Sequence, residues 1–175
     1  TYHKVNWKIP FIKNNIQQMT FHGLNGNRHI SMLRQTDTMH RYYEDSINRI
    51  IEIDYSNNEF AFGIILPKNG KLTLSHEMYE YYISRLTPTN IHNLAIPKFQ
   101  QSSKFKIDNL FKNMGLIELF MNGDFSEITP SNDVTYVSDI IHQSVITIEE
   151  SENNTPHPKY NQHSTNNINF IADHP

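Results

Sequence analysis

Short runs of apolar residues, separated by polar residues and turn formers, divide the chain into segments that predict both strands and helices. Residues 49–54 and 59–66 form two apolar runs around Ser56-Asn57-Asn58, a pattern typical of a β-hairpin. The second run is almost continuously apolar, which predicts a strand buried on both of its faces. Residues 2–11 also have the composition of a strand, which Pro10 would end.

Further strands are predicted around Ile30, over residues 93–99 and within residues 134–150. Pro97 confines the strand at 93–99 to a sheet edge or to its own end, because proline has no amide hydrogen for the ladder. The polar stretch before Ile30 contains the pair Asn25-Gly26, which marks a tight turn.

Two segments predict helices. Residues 75–85 are closed by Pro88, and residues 106–114 are followed by Gly115, a common helix terminator. In the second helix the apolar residues Ile107, Leu110, Phe111 and Met114 recur at the spacing of one helix face. Strands and helices are mixed without strict alternation, and the predicted fold class is therefore α+β, as a single domain spanning residues 1–175.

Composition and charge exclude several kinds of function. The 175 residues carry a formal net charge of −3, with no basic run, so nucleic acid is not an expected partner. There is no cysteine, and hence no disulfide framework or thiol chemistry. No run of about 18 apolar residues predicts a membrane span. This composition fits either redox compartment.

Candidate chemistry is sparse. The ten histidines are scattered without paired metal-ligand spacing, so no metal site is expected. Neither a Gly-x-Ser-x-Gly elbow nor a phosphate-binding Gly-x-x-x-x-Gly-Lys loop is present. Asp124, beside Gly123 and Phe125, is interpreted as a turn residue. The sequence therefore predicts neither an enzyme nor a bound cofactor.

A series of short motifs resembles, in order, those of the serpins. The first is Tyr-His-Lys-Val-Asn-Trp-Lys-Ile-Pro-Phe at 2–11, which departs from the family pattern at His3 and Val5 but keeps its lysine, tryptophan, proline and phenylalanine. The others are Ile-Ser-Met-Leu-Arg-Gln at 30–35, Ile-Asp-Tyr at 53–55, Phe-Gly-Ile-Ile-Leu-Pro at 62–67, Ile-Pro-Lys-Phe at 96–99, the segment 114–128, Val-Ser-Asp-Ile-Ile-His-Gln at 137–143, and Ala-Asp-His-Pro at 172–175. Each motif is weak alone, and together they are specific.

The resemblance implies a multi-sheet serpin fold, of which this chain is an incomplete C-terminal half with an exposed reactive-centre-like loop at about 151–168. The missing N-terminal half of the same domain would then be a partner. By the same resemblance, Trp7 should lie where the central sheet opens and His142 at its mid-sheet gate. Plain core packing is the alternative for both residues. The family also implies an extracellular, secreted protein, without excluding an intracellular one.

The loop has two parts by this resemblance. Its hinge is formed by Glu149, Glu150, Ser151, Glu152, Asn153, Asn154, Thr155, Pro156, His157 and Pro158. The part that would contact a protease is formed by Lys159, Tyr160, Asn161, Gln162, His163, Ser164, Thr165 and Asn166.

An inhibitory serpin inserts its cleaved loop into the central sheet as a new strand. Here neither face of such a strand would be small or apolar, and two prolines would each remove a ladder hydrogen bond. We therefore predict a serpin that does not inhibit proteases, with a binding, carrier or protease-substrate-like role. The alternatives are an active suicide-substrate inhibitor of a serine or cysteine protease, and a truncated, inactive gene product.

Overall fold

The structure, a computed structural model, describes residues 5–128, 135–151 and 167–175. These residues form two compact units. The first takes in the described residues up to Phe99 and those from Ile148 onward, and the second is Gln100–Thr147.

The described residues form strands, two α-helices and two short 3₁₀ helices. The strands are β1 (Gln17–Gly23), β2 (Gly26–Glu44), β3 (Asn48–Asp54), β4 (Ala61–Pro67), β5 (Thr87–Pro97), β6 (Phe99–Lys106), β7 (Ile141–Ile148) and β8 (Ile168–Ile171). The helices are α1 (His76–Arg85) and α2 (Asp108–Asn113), with 3₁₀ turns at Lys13–Asn15 and Glu118–Phe120. This mixture confirms the predicted α+β class.

A six-stranded sheet forms the body of the first unit, in the order β4-β3-β2-β5-β8, with β1 paired to the first part of β2. All pairings are antiparallel except that of β5 with β8, which run parallel. The long strand β2 therefore connects two parts of the sheet, pairing with β1 at one end, with β3 at the other and with β5 over most of its length.

The turn predicted at Asn25-Gly26 joins β1 and β2, with Gly23 paired to Gly26. Gly26 has a φ of 106°, a conformation that side chains with a Cβ rarely adopt. The predicted strand around Ile30 is confirmed as part of β2. Strand β1 itself was missed, because its polar sequence lacks the apolar alternation of a typical strand.

The predicted hairpin at 49–66 is confirmed as β3 and β4. The prediction that its second arm is buried on both faces is wrong: in this structure β4 is the sheet edge, and Ala61 and Gly63 are exposed. A strand over residues 2–11 is also wrong for the part that is described. Only an isolated bridge between Trp7 and Tyr55 forms there, followed by bends and a coil.

Strand β2 changes face at Asp37. Leu33 and Gln35 are buried before it, whereas Thr38 and His40 are buried after it, so the two-residue alternation shifts by one. Asp37 has a φ of 53°, a left-handed conformation that breaks the strand locally and that aspartate tolerates better than most residues. Opposite it, His92 of β5 places its Nδ1 2.8 Å from Oδ1 of Asp37. This irregularity decides which residues of β2 reach the core.

The main core fills the buried side of the six-stranded sheet with large aliphatic and aromatic side chains. Its fully buried members include Phe11, Leu33, Ile51, Ile53, Ile91, Leu94 and Phe170. A smaller cluster of Ile50, Tyr82 and Leu86 holds α1, whose predicted position is confirmed. Ser75 caps this helix by accepting a hydrogen bond from the amide of Met78.

The second unit contains a two-stranded sheet of β6 and β7, together with α2. The predicted strand within 134–150 is confirmed as β7, and the predicted helix at 106–114 as α2, with Gly115 at a φ of 92°. Asp124 is a turn residue as predicted, because its Oδ1 accepts the amide hydrogen of Ser126. Among the described residues, no helix is long and apolar enough to cross a membrane.

Candidate functional site: the anchored ends of a loop

The segment around Trp7 is fixed against the end of β3. Beyond the Trp7–Tyr55 bridge, the amide of Lys8 donates to the carbonyl of Asp54 at 3.0 Å, and the amide of Ser56 donates to the carbonyl of Asn6 at 2.8 Å. Trp7 is thereby held in one position and is only 8% exposed.

Three aromatic rings surround the indole. Tyr55 stacks on it with ring centroids 4.8 Å apart, while Phe11 and Phe62 meet it edge-on at 5.3 Å and 5.9 Å. Such pairs add about 0.5–1.5 kcal/mol each beyond the burial of their area. The indole nitrogen is the polar part of this cluster, and it reaches out of the aromatic surroundings to a single acceptor.

That acceptor is the carbonyl oxygen of Glu149, 2.9 Å from Nε1 of Trp7. Two more contacts hold the following residues. Nζ of Lys98 lies 2.6 Å from Oε2 of Glu150, and the amide of Ser151 donates to the carbonyl of Phe11 at 2.9 Å. We call the set of Trp7, Phe11, Lys98 and residues 149–151 the loop anchor.

Lys98 is well placed for this contact because its own backbone is tied to the sheet. It follows directly after β5, and its amide donates to the carbonyl of Ser31 in β2 at 2.8 Å. The hydrogen bond from its ammonium group lowers the pKa of the Glu150 carboxyl below the ordinary value. The charged form of Glu150 is therefore the one that the anchor favours.

The residues that follow the predicted loop are fixed on β5. Strand β8 pairs with it in parallel, with Leu94 opposite Phe170 and Ala95 opposite Ile171. Phe170 is fully buried, and the amide of Ala172 donates to the carbonyl of Ala95 at 2.9 Å. The residues on either side of the predicted loop therefore lie on the same unit, those before it held by Trp7, Phe11 and Lys98 and those after it by β5.

The predicted loop residues divide accordingly. Glu149, Glu150 and Ser151 are brought together with Trp7 in the loop anchor. The remaining hinge residues, from Glu152 to Pro158, and the predicted protease-contact residues, from Lys159 to Asn166, lie outside the described residues. His142 is on β7 in the second unit, with an exposed side chain.

The described residues contain no group of three or more histidine, cysteine, aspartate or glutamate side chains that could hold a metal ion. Among the described histidines, His40 has a strongly shifted pKa, and sequence reasoning did not single it out. Burial lowers its pKa to about 4, partly opposed by the nearby carboxylate of Asp54. The loop anchor was missed as well, because its central contact joins residues 142 positions apart.

The family model for serpins, described as serine protease inhibitors, matches residues 1–175. The chain belongs to the serpin family. Serpin A3-2 of Bos taurus is 29% identical over 157 residues, which cover 85% of this chain and 38% of that protein. An uncharacterized serpin-like protein of Thermococcus kodakarensis is 28% identical over 155 residues, covering 86% of this chain and 36% of that protein.

Solved serpin structures show the same fold. Native protease nexin-1 crystallised with heparin superimposes with a TM-score of 0.80 at 21% identity, covering 98% of this chain and 49% of that one. A serpin from the trematode Schistosoma haematobium gives a TM-score of 0.78 at 24% identity, covering 99% and 49%. This serpin chain thus spans less than half the length of these relatives.

The ion pair in the loop anchor gives a first prediction. Replacing Lys98 and Glu150 by alanine, singly and together, should reveal a coupling free energy of about 0.5–1 kcal/mol. The value is modest because the two side chains are 37% and 18% exposed, so water screens the attraction. Urea unfolding at neutral pH measures it. Strictly additive single effects would contradict the contact.

Proposed function

We propose that the protein has a serpin body but does not trap proteases, and that it acts as a binding or carrier module or as a simple protease substrate. The observation that carries this proposal is the pair Pro156 and Pro158 in the hinge sequence. In a strand, residues two apart direct their amides to the same neighbour, so both prolines would remove ladder bonds on one side. Each carbonyl left without a donor costs about 1–3 kcal/mol.

The side chains of the hinge give further support. An inserted strand would place Glu152 and Asn154 on one face and Asn153 and Lys159 on the other. Whichever face is buried, polar or charged groups lose water, at a few kcal/mol each when they find no partner. Small or apolar side chains would avoid this cost.

The loop anchor adds a third argument. It holds the chain at Glu149, Glu150 and Ser151 through one contact to each residue. The first residue beyond these contacts is Glu152, and the two prolines follow within six positions of it. A strand inserted from the anchor onward would therefore contain the polar side chains and both prolines within its first seven residues.

Incubation of the full-length protein with a panel of serine and cysteine proteases tests the proposal. We expect cleavage within residues 160–167, no protease complex that survives denaturing gel electrophoresis, and no rise in melting temperature after cleavage. The reason is that insertion, which stabilises a cleaved inhibitory serpin, is blocked by the hinge. A covalent complex with any protease of the panel would overturn the proposal.

The double variant Pro156→Ala/Pro158→Ala is the matched comparison. It restores two amide donors and leaves the rest of the loop unchanged, so its cleaved form should melt higher than the cleaved wild-type protein. Equal melting temperatures would mean that the polar side chains, and not the prolines, are the main obstacle.

The family description as serine protease inhibitors favours one alternative, a suicide-substrate inhibitor, and the same assay distinguishes it. In either case we propose that a protease meets the protein at residues 159–166, that Trp7 and His142 lie in the sheet-opening region of the complete domain, and that the protein is secreted.

A further inference from the structure

A cavity of about 410 Å³ lies between the segment that follows Trp7 and strands β2, β3 and β5. Ile9, Met39 and Pro88 supply its apolar lining. Its volume is within the range of natural small-molecule sites, roughly 300–1,000 Å³. All of its described lining residues belong to the first unit. We call it the His40 cavity, after the histidine in its wall.

The ring of His40 has a defined hydrogen-bonding state. Nε2 of Gln35 donates to the carbonyl of Ile9 at 2.7 Å, which fixes the amide so that its Oε1 faces His40. This oxygen lies 2.8 Å from Nε2 of His40 and only accepts hydrogen bonds, so that nitrogen carries the hydrogen. Nδ1 is then the acceptor of the neutral ring, and burial keeps the ring neutral by lowering its pKa to about 4.

This state leaves Nδ1 for a bound molecule. In the described part of the chain, the side-chain hydrogen bonds of His40, to Gln35 and Thr38, all use Nε2. His40 is 6% exposed and lines the cavity. Nδ1 of His40 is not among the described side-chain nitrogens that are buried without a partner, so it is open to the cavity, and a ligand hydroxyl could donate to it there.

The charged lining offers N–H donors to an anion. Lys8 and Arg41 contribute two positive charges, and Asp54 contributes one negative charge. Lys8 is paired with Asp54 at 3.0 Å, whereas Arg41 contacts Glu52 through Nη1 at 2.7 Å. A guanidinium has five N–H donors in a planar fork, so donors of Arg41 are left for a second carboxylate.

We infer that the His40 cavity binds a small organic acid, whose carboxylate lies against Arg41 and Lys8, whose hydroxyl donates to Nδ1 of His40, and whose apolar body packs against Ile9, Met39 and Pro88. This function goes beyond the behaviour of the loop, and it holds whether or not the protein traps proteases.

Three related probes test the polar contacts one at a time by isothermal titration calorimetry at neutral pH. Para-hydroxycinnamate should bind with a Kd below about 1 mM. Cinnamate, which lacks the hydroxyl donor, should bind about 10-fold more weakly. The methyl ester of para-hydroxycinnamate, which lacks the negative charge, should also bind more weakly than para-hydroxycinnamate, by about 10-fold or more.

Variants assign these losses to residues. Arg41→Gln should weaken para-hydroxycinnamate at least about 10-fold while leaving the affinity for its methyl ester unchanged. Arg28→Gln, at an exposed position in the β1–β2 hairpin, is the matched control and should bind like the wild type. His40→Phe should bind cinnamate and para-hydroxycinnamate equally.

Arg41→Gln keeps the test decisive even if the variant at the buried His40 does not fold. Any of three results would overturn the inference: no binding of para-hydroxycinnamate at millimolar concentration, equal affinity of the wild type for the three probes, or equal affinity of Arg41→Gln and wild type. Because none of these measurements involves a protease, their failure is distinct from failure of the proposed function.

Discussion

Replacing Trp7 by alanine is expected to lower the free energy of unfolding by about 3–5 kcal/mol, the range for a buried large aromatic. The substitution would empty the space between Tyr55, Phe11 and Phe62, which all contact the indole ring. It would also remove the donor to the Glu149 carbonyl. Trp7 is the only tryptophan of the chain, so the alanine variant has no tryptophan fluorescence. The urea unfolding of both proteins should therefore be measured by far-ultraviolet circular dichroism.

Two variants control this experiment. Trp7→Phe has no N–H group but keeps a ring in the cluster. Its free energy of unfolding should therefore fall by much less than that of the alanine variant. Leu24→Ala changes a side chain that is 88% exposed and should stay within about 0.5 kcal/mol of the wild type. An alanine variant at Trp7 within about 1 kcal/mol of the wild type would contradict the central place of the indole in the loop anchor.

The stability of the protein should fall as the pH drops from 7.5 to 5, and His40 should account for about 2 kcal/mol of that fall. The pKa of this ring is lowered from 6.5 to about 4 in the folded protein. Between these two values the unfolded chain binds a proton that the folded protein does not, so acid favours unfolding. Below pH 4 the fall in the free energy of unfolding that is due to His40 reaches its full value of about 3 kcal/mol.

The variant His40→Gln isolates this contribution, because glutamine does not titrate. Urea unfolding of both proteins at several pH values gives the difference directly, and the carboxylates common to both cancel. The charged neighbours of His40, namely Lys8, Arg41 and Asp54, are unchanged in the variant. His29→Gln, at an exposed position, should keep the wild-type slope. Parallel curves for the wild type and His40→Gln would rule out the assigned cause.

Local sequence patterns were sufficient to predict several of the secondary-structure elements. The β3–β4 hairpin follows from two apolar runs around a polar turn, and α1 follows from the residue pattern at 75–85 and the proline at 88 that closes it. In these elements the residues that decide the structure are close together in the chain. The serpin motifs then supplied the family, which no single element could have done.

Non-local pairing explains the elements that were missed. Strands β1 and β6 are polar and form because β2 and β7 present ladders to them, which local patterns do not reveal. The conformation of Asp37 has no marker in the neighbouring sequence, yet it turns His40 toward the core. The His40 cavity was unpredictable for the same reason, since its lining comes from four separate segments.

The fixation of both loop ends has a consequence for proteolysis. A single nick within residues 152–166 would sever the backbone without detaching either stump, since Glu149–Ser151 keep their contacts on one side and β8 keeps its ladder on the other. The fragment that follows the nick would stay bound through the buried ring of Phe170 and the backbone hydrogen bond between Ala172 and Ala95. A nicked molecule would therefore migrate as intact protein under native conditions, and its two pieces would separate only in denaturant.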